Sequence, residues 1–351
     1  MPANVPFPVR PDPGSGPARR PRVARAARWA LRRGALLPAA AAGLLVLVLL
    51  PQTAQASGGS YVALGDSYTA GPLIPDLTGS PAGCLRSSND YPADVAAAIG
   101  ASSYTNVSCA GATTADMTQP QSVTLGTNPP QFGALGPGTT LVTVGIGGND
   151  IGFYNIVKTC AEESLTNPFS SPCKSHYTAG GTDQLAQAIQ ALAPKIGSVL
   201  QEIHALAPSA RVFLVGYPVI LPNSGNGCWP LVPISFGDVP YLRGVELELN
   251  AMLLREAAAN GATFVNTYAD SIGHDACQPP GTKWMEGLIP TSPAAPFHPN
   301  QLGEEHMADQ VITATGTATG AATGRTHAAG AGLLGQGWRW LSRAVMALTG
   351  Q

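Results

Sequence analysis

The chain has 351 residues, of which 44% are hydrophobic and 11% charged, with a formal net charge of −2. Its first 56 residues hold eight of the 19 basic residues and one of the 21 acidic ones, so the remainder carries a formal charge of −9. Such an acidic balance argues against nucleic-acid binding, which needs a basic surface. The length would allow two domains, but the two ends differ in composition from the middle, and we expect one folded domain.

The first 56 residues have the order of features found in a secretory signal, with an unusually long basic N-terminus. An arginine-rich region is followed by the apolar run GLLVLVLLP and the small-residue site AQA at 54–56. Arg-Arg pairs at 19–20 and 32–33 would suit a twin-arginine exporter, but the rest of that motif is missing, so the export route stays open. The alternative is an uncleaved membrane anchor, for which the apolar run is too short. We therefore predict a secreted, extracellular protein that has lost residues 1–56.

Strand and helix patterns alternate from residue 57 to about residue 313. Apolar residues at helical spacing predict helices over 185–206 and 242–252. Strands that alternate with helices of this length imply a parallel sheet covered on both faces, with ligands bound at the carboxyl ends of the strands. The predicted fold class is α/β, a three-layer α/β/α sandwich over 57–313. Four runs predict its buried strands: YVALG (61–65), LVTVGI (141–146), RVFLVGY (211–217) and TFVNTY (263–268).

The segments between these elements are long and rich in proline, glycine and serine, and they are predicted to be functional or tied-down loops. An even number of cysteines after the cleavage site of an exported protein indicates disulfides, but spacing alone leaves fifteen pairings open. There is no CxxC or HExxH motif, so no metal site is expected. The predicted loops are 72–90, 117–138, 159–181, 217–240 and 271–299, and the cysteines are Cys84, Cys109, Cys160, Cys173, Cys228 and Cys277.

Two segments of biased composition end the chain. Residues 314–332 read as an Ala/Gly/Thr-rich linker, which is not expected to pack. Residues 333–351 form a short apolar and basic tail with two tryptophans and two arginines, a composition that suits a lipid surface or a partner. Its glycines and short length favour an incidental tail, so we expect at most transient contact with a lipid surface.

Ser67, in the motif GDSYTAG, lies where a predicted strand ends and a helix begins. By itself it could simply be a helix N-cap. The G-x-S-x-G elbow is not met, because Thr69 stands where the second glycine belongs. If Ser67 is a nucleophile, the adjacent Asp66 is a poor base for it, since neighbouring residues leave a strand on opposite faces.

Three further motifs could supply the rest of a catalytic site. Asn149, in GIGGND after a strand, could offer its amide to an anionic intermediate or could simply tolerate a left-handed turn. Gly111, in SCAGATTADM, would let a ligand approach the backbone closely. His298 precedes a helix that Asn300 can cap, a place where a base can be presented. His306, on that helix, is predicted to be a packing or surface residue.

In this order the four motifs resemble those of the SGNH (GDSL-type) hydrolases over roughly residues 60–313, and in particular secreted actinobacterial lipases and esterases with three disulfides. The resemblance implies a flavodoxin-like fold and hydrolysis of an ester or lipid without a cofactor. It implies Ser67 as nucleophile, His298 as base, and an oxyanion hole formed by the Ser67 N–H, the Gly111 N–H and the Asn149 side chain. It also implies three disulfides, Cys84–Cys109, Cys160–Cys173 and Cys228–Cys277. We expect a monomer.

One position departs from the family pattern. The family usually has an aspartate three residues before the histidine, and here that position is Ala295. We therefore predict a Ser–His dyad in which the backbone carbonyl of Ala295 orients His298. The acids that could replace this arrangement are Asp270, Asp275, Glu304 and Glu305. The alternative functions are a carbohydrate O-acetyl esterase and a non-catalytic binding protein on the same scaffold.

Overall fold

A five-stranded parallel sheet forms the centre of the protein, in a computed structural model that describes residues 58–317. The predicted export signal (1–56), nearly all of the predicted linker (314–332) and the predicted tail (333–351) lie outside the described residues. The strands are β1 Gly58–Gly65, β2 Ala101–Asn106, β3 Gln121–Val123, β4 Gly126–Asn128, β5 Thr139–Gly145, β6 Arg211–Val215 and β7 Thr263–Val265. The helices are α1 Ser67–Ala70, α2 Tyr91–Ala98, α3 Phe153–Ser164, α4 Pro172–Thr178, α5 Gln184–Leu206, α6 Asp238–Ala259 and α7 Gln301–Thr315.

The order of strands across the sheet is β2-β1-β5-β6-β7, while β3 and β4 form a separate antiparallel hairpin. Counted along the chain, the five sheet strands therefore lie in the order 2-1-3-4-5, which is the flavodoxin-like arrangement. The direction of winding reverses between β1 and β5, where Gly65 lies opposite Gly145. In such sheets ligands bind outside the carboxyl ends of the strands at this reversal point. Ser67 follows β1 and Asn149 follows β5, so both candidate residues are at that point.

Side chains alternate between two cores, one on each face of the sheet, as expected for strands with period-two geometry. On one face Val62 and Leu64 of β1 pack with helices α3, α5 and α6. On the other face Tyr61 and Ala63 pack with α2 and α7. The structure is therefore the predicted three-layer α/β/α sandwich. Helix α5 shows the predicted apolar stripe, of which these residues are buried: Leu185, Ile189, Leu192, Ile196, Val199 and Ile203. Each fully buried aliphatic side chain on it contributes about 1.5–3 kcal/mol.

The prediction of a loop over residues 159–181 is wrong in part, because this segment contains the end of α3 and all of α4. The N-terminus of α4 is capped from a distant part of the chain: the Asp238 carboxylate accepts the N–H groups of Cys173 and Lys174 at 3.0 and 2.8 Å. A tertiary cap of this kind leaves no local signal. The predicted loop 117–138 likewise holds the β3–β4 hairpin, and α7 continues to Thr315, two residues beyond the predicted end of the domain.

The three disulfides pair as the resemblance implied: Cys84–Cys109, Cys160–Cys173 and Cys228–Cys277. The first joins the segment after α1 to the loop that contains Gly111. The second joins α3 to α4, and the third joins the segment after β6 to the long loop that leads to His298. Between residues 58 and 317, none of the helices is long and apolar enough to cross a bilayer.

Candidate active site

Ser67 is held in place by a tight junction between β1 and α1. Gly65 ends the strand at φ +153, and a Cβ atom there would lie 2.6 Å from the carbonyl oxygen of Gly145 on the neighbouring strand. Only glycine allows so close an approach. The side-chain amide of Gln131 binds both the N–H and the C=O of Gly65, at 2.8 and 2.9 Å. Ser67 is 7% exposed, and its side chain lines a pocket.

Asp66 is the N-cap of α1, and its carboxylate is used inside the protein. One oxygen accepts the Tyr68 N–H at 2.9 Å and the other accepts the Tyr217 hydroxyl at 2.6 Å. The Tyr217 oxygen in turn accepts the N–H of Gly148, in the loop after β5, at 2.7 Å. Burial raises the pKa of Asp66 to about 7, against the opposing effect of the hydrogen bonds from Tyr217 and Tyr68. Asp66 therefore links the Ser67 turn to the loop that carries Asn149.

His298 lies beside Ser67, with 2.7 Å between its Nε2 atom and the serine Oγ. Its Nδ1 atom is 2.8 Å from the carbonyl oxygen of Pro296. A carbonyl only accepts hydrogen bonds, so Nδ1 carries the proton and Nε2 is left to accept one from the serine hydroxyl. The rings of Tyr68 and Phe153 pack against the imidazole. Burial lowers the pKa of His298 to about 4, partly opposed by the Pro296 hydrogen bond, so the ring is neutral at pH 7.

The carbonyl that orients His298 belongs to Pro296, so the prediction of Ala295 is wrong by one residue. The Ala295 carbonyl accepts the backbone N–H of His298 at 3.2 Å and thereby closes a four-residue turn. Pro296 in the second position and Phe297, with φ +57, in the third are features of a type II turn. The Ala295 oxygen closes this turn, and the carbonyl of the next residue, Pro296, faces the imidazole ring of His298. The Tyr68 hydroxyl donates to the Phe297 carbonyl at 2.6 Å and fastens the turn to α1.

The loop before His298 is held by a buried polar network. Lys283 Nζ and Glu286 Oε2 are 2.7 Å apart, and both side chains are almost fully buried. The other Glu286 oxygen accepts the side-chain amide of Asn300 at 2.8 Å, and the Glu286 N–H donates to the His298 carbonyl at 3.0 Å. Asn300 caps α7 as predicted. A buried charge pair with further hydrogen bonds of this kind holds an irregular segment in one conformation.

The acids considered as partners of the histidine have other roles where the structure shows their contacts. Asp275 accepts the N–H of Cys277 at 2.9 Å, and Glu304 accepts the N–H of Tyr91 at 2.9 Å. Both ring nitrogens of His298 have their partners in Ser67 and Pro296, and neither partner is a carboxylate. His306 stacks on Trp284, with 4.3 Å between ring centroids, and is a packing residue as predicted.

Asn149 and Gly111 lie on two loops that bind each other. The Asn149 side-chain amide donates to the carbonyl of Ala112 at 2.9 Å, which leaves a second amide hydrogen. Asn149 lines the same pocket as Ser67. Gly111 adopts φ +79, and within residues 58–317 neither its N–H nor that of Ser67 has an acceptor. The described residues contain no group of three or more His, Cys, Asp or Glu side chains that could hold a metal ion.

An apolar pocket extends from Ser67 between α3 and α6. Sequence reasoning missed most of its wall, because the residues come from elements that are far apart in the chain. The apolar periodicity of α6 predicted that Leu242, Val245 and Leu249 lie on its buried face. Glu246 lies on the same face, where a carboxylate is unusual. The apolar wall is formed by Ile151, Phe153, Ile156, Val157, Ile220, Leu221, Ile234, Leu242, Val245, Leu249 and Phe297.

Comparisons with known proteins find a matching family model and several similar proteins. The model of the GDSL-like lipase/acylhydrolase family matches residues 63–306. "Lipase 2" of Streptomyces coelicolor is 40% identical over 296 residues, which is 82% of this chain and 98% of that protein. The crystal structure of phospholipase A1 from Streptomyces albidoflavus aligns with TM-score 0.60 and 29% identity, over 73% of this chain and 99% of that one. The extracellular lipase from Streptomyces rimosus aligns with TM-score 0.58 and 28% identity, over the same shares.

Proposed function

The chain belongs to the GDSL-like lipase/acylhydrolase family and is a carboxylic ester hydrolase, and we propose that it is a secreted lipase or phospholipase that uses a Ser67–His298 dyad. The observation that carries this proposal is the 2.7 Å contact between Ser67 Oγ and the unprotonated Nε2 of His298. A hydroxyl beside a neutral imidazole is the arrangement that activates a serine nucleophile.

The proposed reaction proceeds through an acyl-enzyme. His298 Nε2 takes the hydroxyl proton as Ser67 Oγ attacks the ester carbonyl, and it then returns the proton to the leaving alcohol. Water, deprotonated by the same nitrogen, releases the acid and restores the serine. The N–H groups of Ser67 and Gly111, which have no acceptor in the described residues, and the second amide hydrogen of Asn149 are the proposed donors to the oxyanion.

The dyad is supported by the position of the Pro296 carbonyl, which can fix the tautomer of His298 but brings no full charge to stabilise the imidazolium. It is tested by replacing Asp270, Asp275, Glu304 and Glu305 singly with their amides. A true triad loses about 10⁴ in kcat when its aspartate becomes asparagine. We expect each folded variant to stay within about tenfold of wild type, or about 1.4 kcal/mol. A single variant with the larger loss would identify the missing carboxylate.

The pocket favours a lipase over the alternative of a carbohydrate O-acetyl esterase. An acetyl group needs little apolar surface, whereas this pocket is lined by aliphatic side chains from α3, from α6 and from the segments that follow β5 and β6. The measurement is kcat/KM for 4-nitrophenyl esters of rising chain length, for phospholipids and for acetylated sugars. We expect kcat/KM to increase from acetyl to octanoyl esters. Highest activity on acetylated sugars would instead support the alternative.

Labelling decides between catalysis and a binding protein on the same scaffold. An organophosphonate should modify wild-type protein at Ser67 and leave the Ser67→Ala variant unmodified, because only an activated serine attacks phosphorus rapidly. Wild-type protein that resists the reagent while it binds lipid would favour the binding protein.

Secretion is supported by the predicted signal, by three disulfides and by the likeness to an extracellular lipase. Expression in an actinobacterial host should release a protein whose N-terminal sequence begins at residue 57. Protein that stays in the cytoplasm with residues 1–56 attached would contradict this part of the proposal.

A further inference from the structure

One carboxylic acid lies in the apolar wall of the pocket, away from the proposed catalytic groups. Glu246 comes from α6 and is 8% exposed. Its neighbours in the wall include Leu242, Val245 and Leu249 of the same helix and Ile220 after β6. Glutamate is rarely buried in this way unless it is paired. The other positions of this stripe are apolar. If position 246 served only packing, leucine or methionine would be sufficient there.

Glu246 has little protein to pair with. Its two oxygens lie 3.2 and 3.4 Å from a single donor, the N–H of Ile220, and no other hydrogen bond partner occurs among residues 58–317. Burial raises the pKa of Glu246 well above its usual range, which favours the neutral acid. A neutral carboxylic acid has one O–H donor as well as acceptor lone pairs. The donor has no protein acceptor, so the group can still offer a hydrogen bond to the pocket.

Apart from the proposed catalytic residues Ser67 and Asn149, the other polar side chains in the pocket already have hydrogen-bond partners. The hydroxyl groups of Tyr68 and Tyr217 donate to Phe297 and Asp66, and both oxygens of Asp66 have donors. An unsubstituted aliphatic chain in the pocket would therefore leave the O–H group of the Glu246 acid without a hydrogen-bond acceptor. A substrate hydroxyl at the right depth would both donate to and accept from the acid, and an oxo group there would accept from it. Sites of this kind discriminate strongly against analogues that lack the polar group, because a buried group is then left unpaired.

We propose that Glu246 forms a polar subsite within the acyl pocket and that this subsite binds a hydroxyl or oxo substituent on the acyl chain of the ester. The inference rests on the proposed function, in which Ser67 is acylated by the substrate. Glu246 is in this view a specificity-determining residue, since it contacts the part of the substrate that does not react.

The test uses wild-type enzyme and compares ethyl octanoate with a series of its derivatives. Each derivative carries one hydroxyl or one oxo group at a different position of the acyl chain, and within each series these are positional isomers. We expect at least one isomer to have kcat/KM about tenfold above that of the unsubstituted ester, the factor that about 1.4 kcal/mol of hydrogen bonding provides. In Glu246→Met this preference should disappear, with a gain for the unsubstituted ester and a loss for the substituted one. Glu246→Gln should keep a preference, because an amide also donates and accepts. Glu248→Gln, on the same helix but outside the pocket, is the matched control and should behave as wild type.

Two results would overturn the subsite. One is wild-type enzyme that hydrolyses no substituted isomer faster than ethyl octanoate, a result that needs no variant to fold. The other is Glu246→Met that keeps the preference, or that lowers activity on both ester types by one common factor, as a purely structural role would require. Ser67→Ala separates this failure from failure of the proposed function. If Ser67→Ala retains activity the nucleophile is wrong, whereas the subsite can fail while Ser67-dependent hydrolysis continues.

Discussion

The two halves of the candidate site are built in different ways. Ser67 follows β1 directly, in a junction whose backbone is held by the neighbouring strand and by Gln131. His298 instead ends a long segment without strands, held by the Cys228–Cys277 bridge and by the buried Lys283–Glu286 pair. The difference teaches that regular structure positions the proposed nucleophile, whereas individual tertiary contacts position the proposed base. Changes to the serine half should therefore act mainly on chemistry, and changes to the histidine half on stability as well.

Removing either reacting side chain should have the largest effect. Ser67→Ala and His298→Ala are each expected to lower kcat by about 10⁵–10⁶, because the serine and histidine of such a site act as one unit. The matched control is His204→Ala, in α5 and outside the pocket, which should retain activity. The value of kcat for each variant is measured by steady-state kinetics, and folding is verified by circular dichroism. Substantial turnover by a folded variant of either residue would remove it from the mechanism.

Removing the bridge in the histidine half should have the next largest effect. The double variant Cys228→Ser, Cys277→Ser should lose about 4 kcal/mol of unfolding free energy, since the bridge closes a loop of 49 residues. The control, Cys160→Ser with Cys173→Ser, opens a loop of only 13 residues and should lose about 3 kcal/mol. Urea unfolding measures both. Loss of activity at urea concentrations below global unfolding is expected only when the Cys228–Cys277 bridge is missing, and equal behaviour of the two variants would contradict the comparison.

In the serine half, Asn149→Ala should lower kcat by about 10²–10³ with little change in KM, the effect of losing one oxyanion donor. Its amide also holds the Ala112 carbonyl at 2.9 Å, so the unfolding free energy should fall slightly. Asn167→Ala, on an exposed loop, is the control. A rise in KM with unchanged kcat would make Asn149 a substrate-binding residue instead.

A smaller effect is expected from Tyr217→Phe, which removes the hydroxyl between Asp66 and Gly148. The buried carboxylate and the N–H each lose a partner, which costs about 1–3 kcal/mol of stability. We expect about a tenfold loss in kcat, or about 1.4 kcal/mol, because the Asn149 loop is no longer tied to the Ser67 turn. Tyr241→Phe, whose hydroxyl binds Asp183 outside the pocket, serves as control. Equal losses in kcat for both variants would show that Tyr217 has no special role in positioning.

The smallest change is expected between pH 7 and pH 5. His298 acts as a base only when it is unprotonated, and burial lowers its pKa to about 4. The acidic limb of kcat/KM, which reports the free enzyme, should therefore have its midpoint near pH 4, with activity lost below it. A carboxylate partner would stabilise the imidazolium and raise this midpoint. A midpoint near or above 6.5 in the pH profile would thus speak against the dyad.

Local patterns were sufficient where local backbone geometry decides the outcome. The strands β1, β5, β6 and β7, the long helices α5 and α6 and the turn at Ser67 could be predicted because apolar periodicity and glycine positions act within a few residues. The Asn300 cap of α7 was predicted for the same reason. Helix α4 was missed, since its N-terminus is capped by Asp238, 65 residues after Cys173. The carbonyl that orients His298 was also missed, because the turn around Pro296 decides which oxygen faces the ring.

By itself the sequence determined the fold class and the four motifs, and with the family resemblance it also identified the contact between Ser67 and His298 and the three disulfides. These features could be predicted because each depends either on neighbouring residues or on a residue type, such as cysteine, that is easily recognised in a sequence. Only the tertiary structure decided that Pro296 faces Nδ1, that Tyr217 joins Asp66 to Gly148, and that Glu246 lies in the apolar pocket beside Ser67. The physical reason is that burial and hydrogen bonding depend on which distant segments meet. Which group a carboxylate on such a buried stripe faces cannot be read from its neighbours in the chain.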